Sequence, residues 1–258
     1  MRKKYILVAN WKMYLDFDRS IKYSTDNIDK LSAFSESYNS NIVLCPSYPL
    51  LYPMINMFKS SKIEFGAQDC SAHSSGAFTG QVCAQTLRHI GCRYCIIGHS
   101  ERRRFDNETD ELIARKFDVL AENNISPIIC VGESINEKKS GKIFDILEQQ
   151  TQKIFELASV ERNKLNNLPV FIAYEPEWSV GTGDVPDKNY LESVLAWLQN
   201  KIQKNSLSTH WSLLYGGSVN SGNIEFLKRI GYLSGFLIGR ASTNFQEFEK
   251  IIKTIYYL

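Results

Sequence analysis

Eight short apolar runs, separated by longer stretches with helical spacing, constrain this chain more than any other feature. They predict strands at residues 5–10, 41–45, 62–67, 94–97, 127–131, 170–174, 211–215 and 235–238. Most of these runs are continuous rather than alternating, which implies burial on both faces, as in a parallel sheet covered by helices. Between them, Leu191, Val194, Leu195, Leu198 and Ile202 form one stripe at helical spacing, and Phe245, Phe248, Ile251, Ile252 and Ile255 form another. Both stripes predict helix faces packed on the sheet. Asn107 is expected to cap a helix over 109–123, and Pro186 with Asp187 to open one that ends near Asn205.

Eight β-then-α units in 258 residues match a single closed (β/α)8 barrel, eight parallel strands inside a ring of outer helices, as one domain spanning 1–258. No linker or low-complexity tract divides the chain. A doubly wound open sheet is the alternative, but it would carry a Gly-x-Gly-x-x-Gly turn after its first strand. Here the first strand runs into Asn10-Trp11-Lys12. A net charge of +2 is too balanced to imply nucleic acid or a membrane surface as partner. The basic start, Met1 to Lys4, precedes an apolar run too short for a secretory signal, and no stretch approaches the ~20 apolar residues of a membrane span. The six cysteines are expected to be buried thiols of a reducing cytoplasm. Cys92 and Cys95 have the spacing of a redox or zinc pair, but they run into a strand instead of opening a helix, and no second pair completes a zinc site.

In such a barrel, chemistry belongs in the loops beyond the carboxyl ends of the strands. The unusual residues fall there: Asn10 and Lys12 after the first strand, His99, Ser100 and Glu101 after the fourth, Gly132 and Glu133 after the fifth. Glu175 follows the sixth, Gly216, Gly217 and Ser218 the seventh, Gly239 and Arg240 the eighth. Packing gives no reason for polar and glycine residues to converge on one mouth. Glu175 ends an apolar strand, and Pro176 turns the chain out of it at once. Trp178, Gly181 and Gly183 then make a segment stiff at one end and pliable at the other, as a movable lid over a base would be.

Five motifs, Asn10-Trp11-Lys12-Met13, Gly76-Ala77-Phe78-Thr79-Gly80, Gly98-His99-Ser100-Glu101-Arg102-Arg103, Tyr174-Glu175-Pro176 with Gly181-Thr182-Gly183, and Tyr215-Gly216-Gly217-Ser218-Val219, together resemble the triosephosphate isomerases over essentially the whole chain. The resemblance implies a cytoplasmic, homodimeric enzyme without metal or other cofactor. It would interconvert dihydroxyacetone phosphate and glyceraldehyde 3-phosphate through an enediolate, in glycolysis and gluconeogenesis. It further implies Glu175 as the base, His99 as a neutral imidazole electrophile beside the amides of its turn, Lys12 as a fixed positive charge and Asn10 as a neutral donor. Phosphate donors would come from Gly181 in the lid, the turn at Ser218, and the turn at Gly239 and Arg240. The segment 71–80, from Ser71 to Gly80, would insert into a second subunit near that subunit's Asn and Lys.

Several positions depart from the common family pattern. Arg240 stands where a second glycine is usual, but it keeps a backbone N–H. Gln81 replaces a frequent Glu that would pair across subunits with Arg102, Glu177 takes an often apolar lid position, and Ser234 replaces a frequent Asp. The run Arg102-Arg103-Arg104 is expected to be solvated or paired locally. Two rival readings are a Schiff-base aldolase acting through Lys12 and a catalytically silent phosphate-binding scaffold.

Overall fold

The apolar runs of seven of the eight strands, all but the third, are divided between two cores. In the computed structural model, which describes residues 3–160, 165, 168–205 and 210–256, Val8, Val43, Ile96, Ile128, Ala173, Leu214 and Leu237 point inward and fill one cluster. Their neighbours Leu7, Ala9, Ile42, Leu44, Ile97, Ile129, Ile172 and Ile238 point outward and join the larger cluster beneath the helices. Successive strand side chains face opposite ways, so a strand with apolar groups on both sides must lie between two cores. Each such leucine or isoleucine contributes about 1.5–3 kcal/mol on full burial. Met1 and Arg2 of the basic start lie outside the described residues.

The strands are β1 (Ile6–Asn10), β2 (Asn41–Cys45), β3 (Glu64–Ala67), β4 (Tyr94–Ile97), β5 (Ser126–Val131), β6 (Val170–Tyr174), β7 (Trp211–Tyr215) and β8 (Leu233–Ile238). They are parallel and pair in chain order. Ile6 lies opposite Asn41 on one side and Gly235 on the other, so β8 returns to β1 and the barrel closes. The closed eight-stranded parallel barrel with surrounding helices is the expected architecture, not the open sheet. Both predicted stripes are buried, on the helices Lys188–Lys204 and Phe245–Tyr256. The first of these is capped by Asp187, whose carboxylate accepts the Tyr190 N–H.

Beyond one-residue shifts at the starts of β1 and β5, four details differ from the sequence expectation. β3 starts at Glu64 rather than residue 62, because the amides of Lys62 and Ile63 are taken by the hydroxyls of Ser32 and Ser61. β8 begins at Leu233 rather than residue 235; an irregularity between Leu213 and Leu214 in β7 lets it pair further back. The helix Asp110–Glu122 is capped by Thr109, whose hydroxyl accepts the Leu112 N–H, and not by Asn107. Asn107 lies two residues before that cap in a left-handed turn of φ 51°. Finally, Cys83 is only half-buried, unlike the other five thiols. A hydrogen bond with Thr86 draws its pKa below the ordinary thiol value.

No described helix is long and apolar enough to cross a membrane. The three arginines are matched locally: Arg102 by Asp69 and Asp106, Arg103 by Asp110, and Arg104 lies over the Phe105 ring. Nothing in the structure explains Ser234.

Candidate active site

β1 ends on Asn10, whose side-chain oxygen accepts the N–H of Lys12 at 3.1 Å. That bond holds Lys12 at φ 48°, a left-handed conformation that costs a residue with a Cβ about 1–2 kcal/mol. Gln68 secures the turn by donating to the carbonyls of both Lys12 and Cys45, each at 2.9 Å. Strain held in place from several sides marks a position where one side-chain direction matters. Lys12 reaches Glu101, with Nζ 2.7 Å from Oε1.

His99 follows β4 and Gly98 and caps the short helix Ser100–Phe105. Its Nδ1 accepts the Glu101 N–H at 3.1 Å. A ring nitrogen that accepts from an amide carries no proton, so the proton of the neutral imidazole sits on Nε2. Nε2 faces Oε1 of Glu175 at 3.5 Å. Glu175 is only 2% exposed, and its own N–H is tied to the carbonyl of Val131 at 2.8 Å. Gly216 lies directly against it: a Cβ there would stand 2.6 Å from Cγ of Glu175.

The lid begins at Pro176, and both Gly181 and Gly183 have positive φ, 74° and 93°. Its stiff end is fastened by a group that sequence reasoning placed at the barrel mouth without a role. Glu133, fully buried after β5, accepts from the hydroxyls of Tyr174 and Tyr190 and from Nε1 of Trp178, at 2.9, 2.7 and 2.7 Å. Burial and the Glu133 carboxylate push the Tyr174 hydroxyl well above the usual phenol range, so it stays a donor. Lys138 covers the Trp178 ring at 3.4 Å, a cation over a π face. The lid's middle is held by Ser179, whose Oγ donates to the carbonyl of Asp184 at 2.5 Å and meets the Tyr215 hydroxyl at 3.0 Å. Ser179 Oγ also receives the Ser218 N–H at 3.3 Å, so that amide is engaged by the lid in this conformation. Glu177 is half-buried in the lid's hinge, and burial followed by the nearby Glu137 raises its carboxyl pKa.

Asn10, Lys12, His99, Glu175, Gly181, Ser218, Gly239 and Arg240 all line one cavity of about 500 Å³ at this mouth, a size suited to a small molecule. Among the described residues no group of three or more His, Cys, Asp or Glu is placed to hold a metal ion. Glu101 and Gln68 were not singled out for the roles they take. Glu101 was visible beside His99, whereas Gln68 reaches the site from β3 only through the fold.

A carboxylate facing a neutral imidazole, with an ammonium beside them at a barrel mouth, defines a barrel enzyme equipped for proton transfer on a small anionic molecule. The chain belongs to the triosephosphate isomerase family, whose model matches residues 5–255. Among its relatives, the triosephosphate isomerase of Buchnera aphidicola from Cinara cedri is 38% identical over 97% of this chain and 98% of its own. That of Buchnera aphidicola from Baizongia pistaciae is 35% identical, covering 97% and 98%. That of Aquifex aeolicus is 34% identical, covering 96% and 98%.

Proposed function

We propose that this chain interconverts dihydroxyacetone phosphate and glyceraldehyde 3-phosphate, and that Glu175, His99 and Lys12 perform the chemistry. The observation that carries this reading is the convergence of those three side chains on one cavity from β6, β4 and β1. Glu175 takes a proton from the carbon beside the carbonyl. The electron pair of the broken C–H bond forms the carbon–carbon double bond, and the carbonyl oxygen becomes an enediolate oxygen. The Nε2–H of His99 and the ammonium of Lys12 stabilise that developing charge from fixed positions. The hydroxyl proton passes from the neighbouring oxygen to the former carbonyl oxygen, and the abstracted proton returns to the neighbouring carbon, which completes the isomerisation without net redox change.

The phosphate lies between the amides of Gly181, Ser218 and the Gly239–Arg240 turn, where backbone N–H groups and a helical turn suit an anion. Ser218 must then exchange Ser179 for the phosphate, which couples binding to the lid. The aldolase reading is disfavoured because Lys12 Nζ is already engaged by Glu101 at 2.7 Å instead of standing free to attack a carbonyl. A coupled assay on the purified chain should show turnover of glyceraldehyde 3-phosphate, and its absence would reject the proposal. Gly216→Ala offers a finer check. Its methyl must displace Glu175 by roughly 1 Å, so kcat should fall about 10²-fold while the fold persists. Unchanged kcat would mean that the position of Glu175 is not critical.

The same reading gives a cytoplasmic homodimer. Met13 and Phe105, 95% and 68% exposed, flank a groove of about 340 Å³ that shares Lys12 and His99 with the catalytic cavity. The segment 71–80 projects an exposed Phe78 stacked on His73 at 3.7 Å, a preformed plug for that groove in a second copy. Asp69 neutralises Arg102 within its own subunit at 3.0 Å, so Gln81, bonded instead to the Ser71 hydroxyl, leaves no unmatched cation. Sedimentation equilibrium should show a dimer. Phe78→Asp should shift it to monomer and lower activity about 10²-fold by loosening the Lys12 turn. A monomeric parent protein would remove the homodimer from the proposal.

A further inference from the structure

One charged side chain at the barrel mouth has no part in a phosphate site made of backbone amides. Arg240 opens the turn Arg240–Thr243 directly after Gly239, is exposed, and lines the catalytic cavity. Among the described residues it is engaged in no ion pair. The acid nearest in sequence on the same wall, Glu247, is occupied by the N–H and hydroxyl of Ser221 at 2.7 and 3.0 Å. The other cation, Lys12, is matched by Glu101. The charge balance of the cavity wall therefore turns on Arg240. Glu175 and Glu247 line the same wall, and with Lys12 already paired Arg240 is the cation there left to face an anionic group.

We propose that Arg240 is a specificity-determining residue whose guanidinium closes over the phosphate end of the cavity, adding side-chain charge to the amide cradle and favouring phosphorylated over uncharged substrates. This rests on placing the phosphate among Gly181, Ser218 and Gly239. A guanidinium presents paired N–H donors that match two phosphate oxygens, which a glycine at this position cannot supply. Lysine would restore the charge without the fork.

Arg240→Gln and Arg240→Lys, made in the full chain, test the assignment. The measurements are steady-state kinetics with glyceraldehyde 3-phosphate at several salt concentrations, competition by inorganic phosphate, and turnover of unphosphorylated glyceraldehyde. Arg240→Gln should raise both KM and the inhibition constant of inorganic phosphate about tenfold, with kcat changing much less, as expected for one lost charge-assisted contact. The preference for the phosphorylated over the unphosphorylated substrate should fall by the same factor, and the salt dependence of KM should flatten. Arg240→Lys should recover part of each effect. The proposal is overturned if KM and the inhibition constant in Arg240→Gln stay within twofold of the parent, or if kcat alone falls. Failure of inorganic phosphate to compete in the parent protein would instead remove the phosphate site itself, and the assignment of Arg240 with it.

Discussion

Glu175→Gln should lower kcat about 10³- to 10⁴-fold and leave KM within a few-fold of the parent value, the loss typical of removing a positioned general base. Glutamine has nearly the shape of glutamate, so the contact with Gly216 and the backbone bond to Val131 persist. What disappears is the lone pair that takes the proton. The side chain is well placed for that duty. Oε1 faces His99, the neighbour on the barrel's inner side is the weakly donating Cys130 thiol, and the group is 2% exposed. A carboxylate that meets only an imidazole and a thiol keeps lone pairs for a bound molecule instead of spending them on strong structural bonds. His99→Gln should cost about 10²- to 10³-fold, the usual loss of one donor to a developing oxyanion. The double variant should be little worse than Glu175→Gln alone, because the two groups act on the same step. A Glu175→Gln protein with kcat within tenfold of the parent would remove Glu175 as the base. Thermal melting of the variant separates that outcome from a folding defect.

The barrel was legible because its strands meet two cores. A run such as Leu7-Val8-Ala9 leaves no polar face, and only a sheet covered on both sides accepts it. The proposed reacting groups were legible for a related reason: Lys12, His99 and Glu175 are polar residues within two positions of a strand's end, where packing does not need them. The lid anchor was not legible as an anchor. Glu133 gains its meaning from Tyr174, Trp178 and Tyr190, which lie 41 to 57 residues away in sequence and meet it only in the folded chain. Lys116 misleads in the opposite direction. A lysine in an amphipathic helix reads as surface, yet here it is 3% exposed. The cap at Thr109 and the early start of β8 depend on local hydrogen bonds and on a slipped register, details that periodicity does not resolve.

Lys116→Met should destabilise the protein by about 3–5 kcal/mol at neutral pH, the cost of leaving a buried charge uncompensated. Lys116 is held by Asp69 at 2.6 Å and also contacts Glu108. Arg102 completes the cluster, 3.0 Å from Asp69 and 3.6 Å from Glu108. Beneath the segment 71–80 the acids Asp69 and Glu108 thus face Lys116 and Arg102, and removing the lysine leaves both carboxylates to a guanidinium that Asp106 also engages. Burial lowers the pKa of Lys116, but Asp69 and Glu108 outweigh it and carry the value above that of a free lysine. The stabilisation from Lys116 is therefore fully present below pH 10.5 and is lost as pH rises beyond it. Asp69 shifts in the same direction. Burial raises its pKa above 3.8 even though Lys116 pulls it down, so the folded state holds that proton more tightly than the unfolded chain does. Its contribution to stability consequently falls as pH rises through the interval above 3.8. Without Lys116 that interval extends upward, and protonating the stranded acid on acidification relieves the repulsion. The deficit of Lys116→Met, read from urea unfolding, should accordingly narrow between pH 7.5 and about pH 5. Adding Glu108→Gln should recover part of the loss, because the neighbours are coupled and their effects are not additive. A variant within 1 kcal/mol of the parent at pH 7.5, well below the expected cost of stranding a buried charge, would show that the cluster is solvated enough to need no lysine.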